Sequence, residues 1–469
     1  MQKKLRFIWF KNIITSLFIN RFNQWRGSIF LNTTNSFFII ILCILLLLSN
    51  SYSIYFLYHA SAKKAKGNEQ PIINDPTLKT EIVVNGLESP TGMAFLGPND
   101  ILVIEKAKGT VQRIINGMML PEPLLDVNVA NVSERGLLGV AIAKDVKGAD
   151  LHTYVFLYYT ETLGKDGGNP VGNRLYRYEL IDNKLINPKL LLDLPTTPGP
   201  QHNGGVIRIG PDNNVYLVIG DLNYKEDPTA YTITQNIVNG PPADGRGGIL
   251  RVTQDGEVVD GKGILGNEHP LNKYFAYGIR NSFGISFDPL TGKLWDTENG
   301  PTKGADEINL VERGFNSGWK QIMGKASDYN NKGIDLARNL VNFGGKGIYR
   351  DPEFEWLGGI EGNDTPAPTA ITFLNSDKLG KQYENDMFVG TVKGGKLFDF
   401  NLNKDRTSLA LESPLNDKTA DTPEELGNVT FAQGFGIITD LKVGPDGYLY
   451  VVSYENGTIY RIVPLRGTM

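Results

Sequence analysis

The chain has 469 residues, a formal net charge of −4, fifty-three glycines and a single cysteine, Cys43. A near-neutral balance with no basic patch in the body argues against a nucleic-acid partner, and one cysteine leaves no disulfide framework and no paired-thiol chemistry. Nearly 400 residues follow the N-terminal segment, ample for one large core or two ordinary domains.

The first 75 residues differ from the rest. Six basic residues (Lys3, Lys4, Arg6, Lys11, Arg21 and Arg26) precede Phe37, and no acid occurs before Glu69. An unbroken apolar run covers Phe37 to Leu48, and a mixed apolar stretch continues to Tyr58. Basic flank, apolar helix, soluble body is the order of a signal peptide or membrane anchor over 37–58. Ala60-Ser61-Ala62 has the form of a cleavage site, so secreted and anchored forms are both expected, with the body extracytoplasmic. Sequons at Asn131, Asn363, Asn428 and Asn456 occur at the frequency chance predicts.

From about residue 76 a β-unit recurs: strand, Gly/Pro/Asp/Asn turn, alternating Val/Ile/Leu/Tyr strand, closing strand. It reads LGPNDILVIEKAKGTVQRI from Leu96, and loosely from Gly136 through YVFLYYT at Tyr154 to NRLYRYEL at Asn173. It returns as IGPDNNVYLVIGD at Ile209, DPLTGKLWDTENG at Asp288, YENDMFVGTVKGGKLFDFNL at Tyr383 and VGPDGYLYVVSYENGTIYRI at Val443. The turns supply positive φ and the alternation buries one strand face. Six such units predict an all-β, six-bladed β-propeller of four-stranded antiparallel blades over 76–469. A pair of β-sandwiches would not explain the recurring phrase.

Of four histidines, His202 stands out, in Gln201-His202-Asn203-Gly204-Gly205 just before the strand at Val206. The two glycines are expected to let a ligand approach the backbone. Asp221 ends the next strand, and a turn at Gly210–Asn214 would bring both residues to one end of a hairpin. A carboxylate there fixes the tautomer of an imidazole base and supports its cation.

The phrase HNGGVIRIGPDNNVYLVIGD resembles the active-site blade of the PQQ-dependent soluble aldose (glucose/sorbosone) dehydrogenases, and similar phrases follow in order from about Thr80 to Pro464. The resemblance implies an oxidoreductase that oxidises an aldose at its anomeric carbon. PQQ would accept the hydride, Ca²⁺ would assist, and an external acceptor would collect the electrons. His202 would be the base, Asp221 its orienting partner, and Arg280 a stabiliser of the reduced quinone. Glu134, before Gly136-Leu137-Leu138-Gly139, would contact cofactor and substrate, and Arg280 and Asn281 would face the quinone oxygens. Gly300 and Pro301 would offer carbonyls to calcium, with Asp306 and Glu307 in a calcium-rich acidic segment. Thr365 and Lys393 would touch the cofactor, Lys393 at a carboxylate.

One departure stands against this pattern. Where such enzymes carry Arg-x-Arg-Asp in the last blade, clamping PQQ carboxylates, this chain has Ile437-Ile438-Thr439-Asp440. That mismatch supports a second reading: a non-catalytic, calcium-binding propeller that recognises glycans or a protein partner. A propeller lactonase ranks third, because Glu134, Asp221 and Asn281 lack a clear fourth ring member.

Overall fold

The computed structural model describes residues 70–147, 150–223, 225–301, 304–329, 331–358 and 365–465. The expected signal or anchor at 37–58 lies outside them. Among the described residues no helix is long and apolar enough to cross a membrane, and the one α-helix is short, Asn331–Arg338.

The strands of the described residues form six sheets. Their innermost strands are, in chain order, Pro90–Gly97, Leu137–Lys147, Ile207–Ile209, Ser282–Phe287, Pro368–Phe373 and Ile438–Val443. Each packs beside the next, and the last returns to the first. The sheets thus stand around an axis as a β-propeller. The recurring phrase marks the inner hairpins, and two copies of it match in detail. In Gly210-Pro211-Asp212-Asn213, Asn213 turns to φ 61° and its N–H donates to the Gly210 carbonyl at 2.9 Å. In Gly444-Pro445-Asp446-Gly447, Gly447 takes φ 81° and bonds back to the Gly444 carbonyl at 2.8 Å. Both turns are pinned by a tyrosine four residues after the aspartate: Tyr216 donates to Asp212 and Tyr450 to Asp446, each at 2.9 Å. A methyl group on Gly210 or Gly444 would meet that tyrosine ring at 2.6 or 2.5 Å.

The sheets carry four to six strands rather than a uniform four. Insertions supply the extra ones. Phe315–Asn316 and Ile348–Tyr349 add parallel pairings to the third sheet, and Thr419–Ala420 adds one to the fourth. The ring also begins before residue 76: Ile72–Ile73 pairs with Thr430–Gln433 of the fifth sheet. Leu78–Val84 then forms the outer strand of the sixth sheet against Thr458–Pro464, so the first and last long strands of the ring share one blade. Such closure leaves the ring no seam with unpaired edges.

The core lies between neighbouring sheets. Phe156, Tyr158, Leu217 and Leu250 fill the gap between the second and third. Trp295, Trp356, Phe354, Phe398 and Phe400 fill that between the fourth and fifth, where Phe354 and Trp356 meet edge to face with centroids 4.9 Å apart. Near the axis Arg208 of the third sheet reaches Asp440 of the sixth, on the opposite side of the ring, at 3.3 Å. Asp440 also accepts the Met93 N–H at 3.0 Å, and Lys442 approaches it at 3.5 Å. A network of these charges bridges the axis.

Candidate active site

The inner strands present their connecting loops to a cavity of about 460 Å³. His202 reaches it from the loop entering the third sheet. Its backbone adopts φ 58°, the residue is only 2% exposed, and its N–H donates to Glu134 Oε2 at 2.5 Å. Nδ1 lies 2.7 Å from Asp221 Oδ1. The antiparallel pairing of Ile207–Ile209 with Val215–Ile219 places the two residues side by side, as the turn between them predicts. An ionised carboxylate only accepts, so Nδ1 carries the proton and Nε2 is the basic nitrogen. Gly204 lines the cavity, yet the glycines serve packing more than ligand approach. A methyl on Gly204 would strike the Val218 carbonyl at 2.4 Å, and one on Gly205 would strike Leu138 Cβ at 2.5 Å.

Asp221 is itself held on both oxygens. Oδ1 also accepts the Asn223 N–H at 2.8 Å, and Oδ2 accepts Trp319 Nε1 at 2.7 Å. Trp319 comes from a loop 98 residues further on. A tryptophan closing the Phe315-Asn316-Ser317-Gly318 phrase is its only sequence signal. The Arg280 guanidinium lies 5.4 Å over the same indole.

Arg280 and Asn281 line the cavity beside His202. The Arg280 backbone N–H donates to Glu298 at 2.6 Å, its carbonyl accepts the Asp221 N–H at 2.9 Å, and its Nη1 donates to the Asn299 carbonyl at 2.8 Å. Its Nε and the Asn299 Oδ1 are buried and have no partner among the described residues. Orphaned polar atoms in a buried pocket call for a ligand or water to complete them.

Gly300 and Asp306 also line the cavity. Asp306 accepts the Gly300 N–H at 3.0 Å and the Ala367 N–H at 2.8 Å. Burial pushes its carboxyl up to about 6, against hydrogen bonds from Gly300, Thr365 and Ala367 and the charge of Lys393. Thr365, Lys393, Ile437 and Thr439 complete this side. Pro301 is not among the lining residues, and its carbonyl accepts the Gly304 N–H at 2.7 Å. Glu307 is turned away altogether. Successive strand residues face opposite ways, so Asp306 and Glu307 part. Glu307 lies directly across from Glu298 and from Glu355 and accepts from Asn309 at 3.0 Å. Burial, reinforced by neighbouring carboxylates, raises Glu298 and Glu307 far above the usual carboxylate range.

Of the sequence-predicted residues, Glu134, His202, Arg280, Asn281, Gly300, Asp306, Thr365 and Lys393 converge on one cavity, with Asp221 behind His202. Among the described residues no three His, Cys, Asp or Glu side chains are grouped to hold a metal. Asp306, on the cavity wall beside Gly300, offers carboxylate oxygen, the donor type that suits a hard cation.

Residues 87–461 match the family model described as Glucose / Sorbosone dehydrogenase. Aldose sugar dehydrogenase YliI of Escherichia coli K12 is 27% identical over 393 residues, covering 83% of this chain and 93% of its own. Quinoprotein glucose dehydrogenase B of Acinetobacter calcoaceticus is 29% identical over 310 residues, 59% of this chain and 62% of its own. In fold, the chain resembles the apo form of the soluble aldose sugar dehydrogenase of Escherichia coli, with TM-score 0.60, 23% identity and coverage of 83% and 100%. It also resembles the PQQ-bound aldose sugar dehydrogenase of Streptomyces coelicolor, with TM-score 0.57, 22% identity and coverage of 83% and 99%.

Proposed function

The chain belongs to the glucose/sorbosone dehydrogenase family, and from that membership and the geometry of the cavity we propose that it is a PQQ-dependent aldose dehydrogenase acting outside the cytoplasm. The observation that carries this reading is the His202–Asp221 pair, 2.7 Å apart and buried, opening on a cavity with orphaned donors and acceptors.

The donor set suits a polyanionic quinone: Arg280, Asn281 and Lys393 are placed to meet oxygens, and Arg280 Nε and Asn299 Oδ1 await partners. Gly300 and Asp306, with the Pro301 carbonyl nearby, would hold Ca²⁺, while Glu307 faces the buried carboxylate row. When bound, PQQ supplies the two-electron acceptor that takes the C1 hydride as the aldose becomes its lactone, and Ca²⁺ supplies a Lewis acid. His202 Nε2 takes the anomeric hydroxyl proton. Asp221 stabilises the imidazolium that results, and Trp319 and Asn223 keep Asp221 in place. Glu134 holds the His202 backbone in its left-handed conformation. Arg280 offsets negative charge that develops beside it, as preorganised donors do in oxyanion holes.

A non-catalytic glycan- or protein-binding propeller has one observation in its favour, the uncharged wall of Ile437 and Thr439. Reconstituting the protein with PQQ and Ca²⁺ separates the two readings. A quinone absorbance bleached by aldoses supports the dehydrogenase; no PQQ binding and no turnover with any aldose supports the binding module.

A further inference from the structure

One charged residue of the cavity has no part in the reading above. Lys106 directly follows the strand Asp100–Glu105 of the first sheet, and it lines the cavity with Ser133 and Glu134. Its neighbour Glu105 is committed to its own blade, accepting from Thr110, Gln112 and the Glu88 backbone. Lys106 is instead anchored toward the cavity. Its backbone N–H bonds to Ser89 at 3.1 Å, its carbonyl accepts the Leu137 N–H at 2.9 Å, and its stem lies against Gly136. A methyl group on Gly136 would come within 2.6 Å of Lys106 Cγ, so the glycine makes room for the lysine.

The residue is 9% exposed and Nζ donates to the Ser133 carbonyl at 2.7 Å. The acceptor it meets there is a neutral carbonyl and not a carboxylate. Glu134 draws on it electrostatically, but Glu134 Oε2 is engaged by the His202 N–H. A buried ammonium with three donors and one neutral acceptor is short of compensation. The last blade does not supply it. Thr439 Oγ1 donates to the Pro90 carbonyl at 2.9 Å, and Pro90 pairs with Glu105, which brings the Ile437–Thr439 wall next to Lys106. That wall is uncharged. Lys106 and Lys393 then supply ammonium groups from different blades to one cavity, with Arg280 as the guanidinium.

We propose that Lys106 anchors a carboxylate of the bound cofactor, so that the first blade contributes the charge recognition that the last blade lacks. This rests on the PQQ reading. The test is equilibrium binding of PQQ, and of its uncharged trimethyl ester, to the full-length protein with Ca²⁺, followed by quinone fluorescence without substrate. Lys106→Gln keeps a donor for Ser133 and removes the charge; Lys106→Arg keeps the charge. Loss of a charge-assisted hydrogen bond predicts PQQ binding weakened roughly 10- to 100-fold in Lys106→Gln. The ester should bind wild type and Lys106→Gln alike, and Lys106→Arg should recover most of the PQQ affinity. Equal PQQ affinity in wild type and Lys106→Gln overturns the proposal and leaves the PQQ reading standing. Equal weakening toward acid and ester also overturns it, by showing a role confined to holding Ser133. If the wild-type protein binds no PQQ at all, the reading falls and this proposal with it.

Discussion

His202 works through what surrounds it. Its imidazole is held by a carboxylate that two other groups, the Asn223 N–H and the Trp319 indole, hold in turn, so substitutions should grade by distance from the proton. With PQQ and Ca²⁺ bound, His202→Ala should cut turnover by roughly 10²–10⁴-fold, the range of a positioned general base. Asp221→Asn should cost less, since the base remains but its tautomer loses its anchor. Trp319→Phe should cost least, and melting curves should show whether each variant stays folded. The His202–Asp221 pair was legible because a hairpin of known turn joins them. Trp319 was not, because only the closed ring brings residues 98 apart together. Glu307 shows a different limit. The acidic segment was recognised as a phrase, but strand alternation divides it, and only Asp306 faces the cavity.

At the scale of the element, each hairpin carries its own fastening. Tyr216→Phe or Tyr450→Phe removes a tyrosine–aspartate bond and should lower stability by about 1 kcal/mol, read as a shift in denaturant midpoint. The repeat was legible because turn chemistry is local. The added strands were not, since Ile72–Ile73 and Phe315–Asn316 pair with segments far away in sequence. The fifth sheet also holds a strained pair. Burial pushes the Asp399 carboxyl up to about 8, helped by Asp386, itself raised by burial to about 6. Each has an oxygen with no partner among the described residues. Both groups favour their protonated forms in the folded state, so the unfolded chain binds fewer protons between their ordinary and raised values. Stability from this pair is therefore present below about pH 4 and falls as pH rises toward 8. Asp399→Asn should raise the melting temperature at pH 8 to 9, and its advantage over wild type should shrink toward pH 5. A constant difference across that range would count against the assignment.

For the whole molecule, closure is the organising event. The sixth sheet joins Leu78–Val84 to Thr458–Pro464, and the fifth gains Ile72–Ile73. Deleting residues 1–84 should expose the Thr458–Pro464 edge and give aggregated or proteolysed protein, whereas deleting 1–69 should leave a soluble, cooperatively melting ring. Gel filtration and limited proteolysis distinguish the two. The sequence showed the repeating unit and its number, but a closing strand carries no mark of its partner.

The charges that bridge the axis have a bearing on traffic. Arg208, Asp440 and Lys442 are joined near the axis, and if they close the bore, a molecule that enters from the loop side leaves by the same door. If sugar and electron acceptor both visit this cavity, they take turns at one entrance, and the lactone must depart before the acceptor arrives. The kinetic order is then double displacement: initial rates plotted reciprocally against sugar, at several acceptor concentrations, should give parallel lines. Intersecting lines would mean that both partners occupy the site together. Opening the bore with Arg208→Ala and Asp440→Ala should not change the pattern unless the new passage is wide enough to serve as a second way in.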